Sequence, residues 1–130
     1  MQVVDASALF ELLGAGPRAN AVRRELATDD DHFAPELIDV EVGAVIQAHE
    51  RRGDLDSTAA ELALDLLVEW PAQRVSHRPL LDRAWALRHN IRFSDATYVA
   101  LAERLGARLI TLDTRLARAT GPTCPVVIPA

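Results

Sequence analysis

The chain has 130 residues, 49% of them hydrophobic and 25% charged, with a net charge of -5, which fits one domain spanning 1–130 around one core. No apolar run reaches the ~20 residues that cross a bilayer, and a lone Cys124 excludes an internal disulfide and a multi-cysteine zinc site. The charge is split: residues 1–71 carry 15 acids and 5 arginines, and residues 72–130 carry 4 acids and 9 arginines, so either one face meets a polyanion or solvated helix faces divide by sign.

Val3-Val4 reads as the end of a buried strand, and Ala6–Leu13 as a helix after it. Asp5 sits between them, where a carboxylate can cap the helix or face a ligand at the strand's C-terminal end. Ser7 adds a hydroxyl at the same place. The start meets Asp5 before any leader-like run, so no secretory signal is expected and the expected compartment is the cytoplasm. Gly14 and Gly16-Pro17 punctuate the chain, and Arg18–Ala27 resumes a helical pattern. Asp29-Asp30-Asp31 lacks the spaced ligands of a calcium loop and reads as a solvated turn. His32-Phe33-Ala34 is a short strand closed by Pro35, and a helix follows over Glu36–Arg51. Within it, Glu41 lies among Val40, Val42, Gly43 and Ala44, an expensive place for a carboxylate without a partner or ligand.

Thr58–Glu69 is predicted helical, with Ala60, Leu62, Ala63, Leu64, Leu66 and Leu67 toward the core. Gln73–Ser76 reads as a strand. Pro79–His89 reads as a helix whose apolar stripe includes Trp85, a core or dimer-contact position rather than a base-stacking platform. Ser94 can cap the next helix, with Asp95 in its first turn and Leu105-Gly106 at its end. Arg108–Leu112 is a strong strand, followed at once by Asp113 and a short helix over Thr114–Ala119. Val126–Ile128 is a last strand. Strands alternating with helices predict a parallel sheet covered on both faces.

Asp5 and Asp113 each follow a strand, and parallel strands share one C-terminal edge. Carboxylates gathered there would raise each other's pKa unless a cation neutralised them. Oxygen donors without a Cys/His set favour Mg²⁺ or Mn²⁺ over zinc. His32, His49, His77 and His89 show no ligand spacing and read as structural or surface residues. A receiver-type phosphoacceptor would need a lysine, and every basic residue here is Arg. An aspartyl phosphatase would want an acid at position 7, and a dinucleotide fold a glycine-rich turn after the first strand.

Four segments, taken in order and spacing, resemble the PIN domains, and more narrowly the VapC ribonuclease toxins of bacterial toxin–antitoxin pairs. They are Val3-Val4-Asp5-Ala6-Ser7; Pro35-Glu36-Leu37 with Glu41; Arg88-His89-Asn90 through Asp95 to Glu103; and Leu109-Ile110-Thr111-Leu112-Asp113-Thr114-Arg115-Leu116. Ser94 departs from the tyrosine more common before the aspartate. The resemblance implies a three-layer α/β PIN-like fold with about five short parallel strands. It implies a Mg²⁺- or Mn²⁺-dependent endoribonuclease acting through metal-activated water. Asp5, Glu41, Asp95 and Asp113 would be the acidic catalytic set, Asp5, Asp95 and Asp113 the metal ligands, and Ser7 and Thr111 the polar neighbours. Arg88, Arg92 and Arg115 flank the acids and would hold RNA. The expected partners are a VapB-like antitoxin, an RNA substrate and a second copy in a homodimer. The alternative is a PIN-like module that binds RNA or protein without cleaving.

Overall fold

The computed structural model describes residues 1–130 as five strands and seven α-helices. The strands are β1 (Gln2–Val4), β2 (His32–Pro35), β3 (Gln73–Val75), β4 (Arg108–Ile110) and β5 (Val126–Val127). They form one sheet in the order β3-β2-β1-β4-β5, with every neighbouring pair parallel. The chain builds outward from β1 to one side through β2 and β3, then crosses to the other side for β4 and β5. The order therefore reverses between β1 and β4. In an open parallel sheet, a crevice for ligands opens at such a reversal, beyond the strands' C-terminal ends. Asp5 follows β1 and Thr111–Asp113 follow β4, so both lie at that crevice.

The helices are α1 (Ala6–Leu13), α2 (Ala19–Leu26), α3 (Leu37–Arg52), α4 (Ser57–Glu69), α5 (Leu81–Ala86), α6 (Phe93–Leu105) and α7 (Thr114–Arg118). Val3, Val4, Leu9, Ile38, Leu109 and Ile110 are wholly or almost wholly buried and centre the core on β1 and β4. Helix α6 is buried along Ala96–Ala102 and is the central helix of its layer. Its end is set by Gly106 at φ 64, a left-handed turn that a side chain would strain.

Three expectations need correction. Leu62, Leu64 and Leu66 of α4 do not join the core; they are exposed, with Val68 beside them. Ala60, Ala63 and Leu67 face inward instead, opposite the acidic stripe of Glu61, Asp65 and Glu69. The helix expected over Pro79–His89 is shorter. A 3₁₀ turn over Arg78–Leu80 precedes α5, and after Ala86 the chain continues in i→i+3 turns, Arg88 to Trp85 and Asn90 to Leu87. Leu80, Ala84 and Leu87 take the core row. Trp85 lies one row over, paired with Leu81, and is 60% exposed. Finally, Ser94 does not cap α6. The cap position is Arg92, which makes no side-chain capping bond, and the Ser94 carbonyl instead accepts from the Thr97 hydroxyl.

Candidate active site

Asp5 leaves β1 with its backbone N–H bonded to the Ile110 carbonyl, so the end of β4 fixes its position. Its side chain is almost fully buried. Oδ1 accepts from the Ser7 hydroxyl at 2.6 Å and from the Ala8 N–H at 3.1 Å. Oδ2 accepts from the Thr111 hydroxyl at 2.6 Å. Asp5 is thus both the cap of α1 and an oriented site carboxylate. A carboxylate offers about four acceptor positions; three are filled here, and the open one is on Oδ2. Burial pushes the Asp5 carboxyl up to about 6, against the Ser7, Thr111 and Ala8 hydrogen bonds that favour its charged form, and the Asp95 charge adds to the rise.

Ser7 and Thr111 also tie the two strand ends together. The Leu112 N–H donates to Ser7 Oγ, and the Asp113 N–H donates to Thr111 Oγ1, both at 3.0 Å. Asp113 repeats the Asp5 pattern after β4, capping α7 by accepting from the Arg115 N–H at 2.9 Å. The Arg115 guanidinium stands 3.6 Å from the same oxygen.

Asp95 is the electrostatic centre. Its charge raises the carboxyls of Asp5 and Glu41. Its own carboxyl is raised by burial first and further by Asp113, while Arg92 and Arg115 oppose the rise. Asp95 and Asp113 line an open cleft of about 170 Å³ with Asn90, Arg92, Arg115 and Leu116 among its walls. That volume suits a phosphate and its waters rather than an enclosed organic ligand. Asp5 and Glu41 do not line the cleft, and neither does Arg88, whose guanidinium lies over the Trp85 ring 4.5 Å from its centroid.

Glu41, half-buried on α3, has a partner that sequence reasoning missed. The Tyr98 hydroxyl donates to Glu41 Oε1 at 2.6 Å. Burial and Glu41 keep the phenol protonated far above its ordinary range. The signal was present: Tyr98 follows Asp95 by three residues, so the two share a face of α6. Burial, with Asp95, still raises the Glu41 carboxyl, the Tyr98 bond and Arg92 opposing. Tyr98→Phe keeps the shape but removes the donor. We expect a stability loss of about 1–3 kcal/mol, a further rise of the Glu41 carboxyl, and an acid limb of the pH–activity profile displaced to higher pH. An unchanged profile would mean that the bond holds α3 to α6 and nothing more.

No histidine lines the cleft. His32 Nε2 is within hydrogen-bond distance of Gln2 Oε1 and the Leu26 carbonyl, and His49 stacks on Phe10. The donor set at the site is therefore all oxygen, as hard divalent cations prefer. No three acidic, histidine or cysteine side chains close on one point, so the protein offers no preformed three-ligand cage. The arrangement suits a hydrated ion held by one or two carboxylates at a time, the usual manner of Mg²⁺.

A family model for the PIN domain matches residues 3–122. The chain is 40% identical over 131 residues to ribonuclease VapC12 of Mycobacterium tuberculosis, covering all of both chains. It is 42% identical over 118 residues to ribonuclease VapC3 of the same organism, covering 90% of this chain and 85% of that one. A toxin–antitoxin complex from Klebsiella pneumoniae shares the fold at a TM-score of 0.67 and 19% identity, covering 100% of this chain and 98% of the matched chain. Crevice, carboxylates and kinship agree, and the chain belongs to the PIN-domain family, among its VapC members.

Proposed function

We propose that this protein is the toxin of a toxin–antitoxin pair, an endoribonuclease whose cleavage depends on Mg²⁺ or Mn²⁺. The observation that carries the reading is the buried Asp5 carboxylate, held by three donors with one acceptor position open, beside the mutually repelling Asp95 and Asp113. Kinship to proteins named ribonucleases supplies the substrate class.

Asp95 and Asp113, which line the cleft, would hold the metal one or two carboxylates at a time, with Asp5 reaching it from beyond the cleft wall through water, and its charge would relieve their repulsion. When bound, such an ion lowers the pKa of a water and stabilises charge on the scissile phosphate. The protein's own groups do the rest. Ser7 and Thr111 lock the Asp5 carboxylate in one orientation. Arg92 and Arg115 draw an RNA phosphate into the cleft and fix it there. Tyr98 fixes Glu41 Oε1, and Glu41 would act from behind the cleft by orienting the carboxylate shell around Asp95, whose charge it feels.

An antitoxin would need apolar anchors, because an exposed ion pair alone contributes only about 0–1 kcal/mol. The exposed apolar residues of α4 supply two such rows, Leu62 with Leu66 on one flank and Leu64 with Val68 on the other. An arginine from the partner could also reach the carboxylates and displace metal and substrate together.

The test is direct. Purified protein should cut an unstructured RNA in Mg²⁺ or Mn²⁺ and stop in EDTA. Its expression alone should arrest growth, and co-expression with the neighbouring small gene should restore growth and yield a co-purifying complex. Cleavage that persisted in EDTA would remove the metal from the reading. Absence of cleavage with every divalent ion would leave a binding module.

A further inference from the structure

Next in the chain to a wall of the cleft stands an aromatic pair that the chemistry above does not use. Trp85 on α5 and Phe93 at the start of α6 stand edge-to-face, with ring centroids 6.3 Å apart and planes at 73°. Both are exposed, Trp85 at 60% and Phe93 at 43%. A large indole left in solvent on a small domain marks a contact site more often than chance placement does. The Arg88 guanidinium lies over the indole at 4.5 Å and donates to the Trp85 carbonyl at 3.0 Å, which holds it in place. The pair is continuous with the cleft: Arg92, a wall residue of the cleft, directly precedes Phe93, and Asp95 lies two residues beyond it.

We propose that Trp85 and Phe93, with Arg88, form a stacking platform that holds an unpaired RNA base next to the cleft while Arg92 and Arg115 hold the adjoining backbone. The proposal rests on the ribonuclease reading and deepens it by naming where a flanking base is held. Bases splayed out of single strands stack on aromatic rings and on guanidinium planes. Both kinds of surface are present here, with Arg88 over the indole and Arg92 and Arg115 on the cleft beside the carboxylates. Asp82, one turn before Trp85 on α5, is the acid nearest in sequence on that helix. A base held on the platform would place the adjacent phosphate toward the cleft. The platform thereby selects single-stranded or looped RNA over a paired helix, because a paired base presents no free face.

Trp85 is also a built-in reporter, since the second tryptophan, Trp70, is only 9% exposed and lies under Arg74. The experiment titrates Asp5→Asn protein, which leaves RNA intact, with a short unstructured oligoribonucleotide and follows tryptophan fluorescence. Binding should quench the Trp85 emission. In the same background Trp85→Ala should weaken binding about ten- to a hundredfold. Trp85→Tyr should keep most of the affinity, while Trp85→Leu, apolar but unable to stack, should not. In otherwise wild-type protein Trp85→Ala should raise KM with kcat largely kept. Equal affinity for Trp85→Leu and wild-type Trp85 would overturn stacking. A dimer that Trp85→Ala converts to monomer, with RNA affinity per site unchanged, would assign the patch to a second copy instead. Robust cleavage with no effect of Trp85→Ala would sink the platform and leave the ribonuclease reading standing; absence of both binding and cleavage in the Trp85 protein would remove both.

Discussion

Asp5→Asn is expected to abolish cleavage and, in metal-free buffer at neutral pH, to make the protein more stable. The amide keeps the shape of the carboxylate and can retain hydrogen bonds with Ser7 and Thr111, whose hydroxyls can rotate. It removes a buried negative charge. Native Asp5 holds its proton up to about pH 6, against 3.8 for an ordinary aspartate. Between those values the folded state binds more protons than the unfolded one, so stability falls as pH rises through the window. Above it the penalty is complete, at most about 3 kcal/mol. Thermal melts from pH 4 to pH 8 should show the variant's advantage growing up to about pH 6 and then holding level. Mg²⁺ should stabilise the wild type and not the variant, closing the gap, while RNA cleavage by the variant falls at least about a hundredfold. A variant that cut RNA at the wild-type rate would show that Asp5 is a cap of α1 and no more.

The largest effect on substrate binding is expected from the pair Arg92→Ala, Arg115→Ala. Both side chains are exposed at the cleft, Arg115 at 84%. Neither is needed for the core, so the fold should survive. Two lost phosphate contacts should weaken binding of single-stranded RNA about ten- to a hundredfold at low salt. The slope of log affinity against log salt should flatten by about 1.4, since each contact to a single strand accounts for about 0.7. There is a second consequence. Arg92 and Arg115 both hold the Asp95 carboxyl down, so their removal should raise it further and shift the acid limb of the pH–activity profile upward. Arg51→Ala, at the far end of α3 in the acidic half of the chain, should change neither quantity. Unaltered affinity and salt slope in the double variant would place the RNA path elsewhere.

Local pattern alone marked most of the architecture. Alternating short apolar runs and amphipathic stretches specify strands and helices through side-chain periodicity, and α1 came out as Ala6–Leu13, as read. The strand-end carboxylates were legible because Asp5 and Asp113 each interrupt an apolar run at a helix start. Ser7 and Thr111 were legible as their near neighbours in sequence. What periodicity does not carry is how wide a stripe of an amphipathic helix the core will cover. In α4 the acidic stripe Glu61, Asp65 and Glu69 stands opposite Ala60, Ala63 and Leu67, which went inward, while the leucines on the two flanks were left outside. Likewise Ala84 and Leu87 went inward while Trp85, one row over, stayed in solvent. The Tyr98–Glu41 bond spans 57 positions, and no local pattern predicts which of many polar pairs will meet. Above all, the placing of β4 on the free side of β1, opposite β2, is a property of the whole sheet. It creates the crevice, and it sets Asp5 against Thr111 although 106 positions separate them. Residue types and spacing determined that carboxylates would stand at strand ends. Only the tertiary order of the strands decided that Asp5 and Thr111–Asp113 would share one sheet edge, because the packing of the sheet, and never their own attraction, brings like charges near one another.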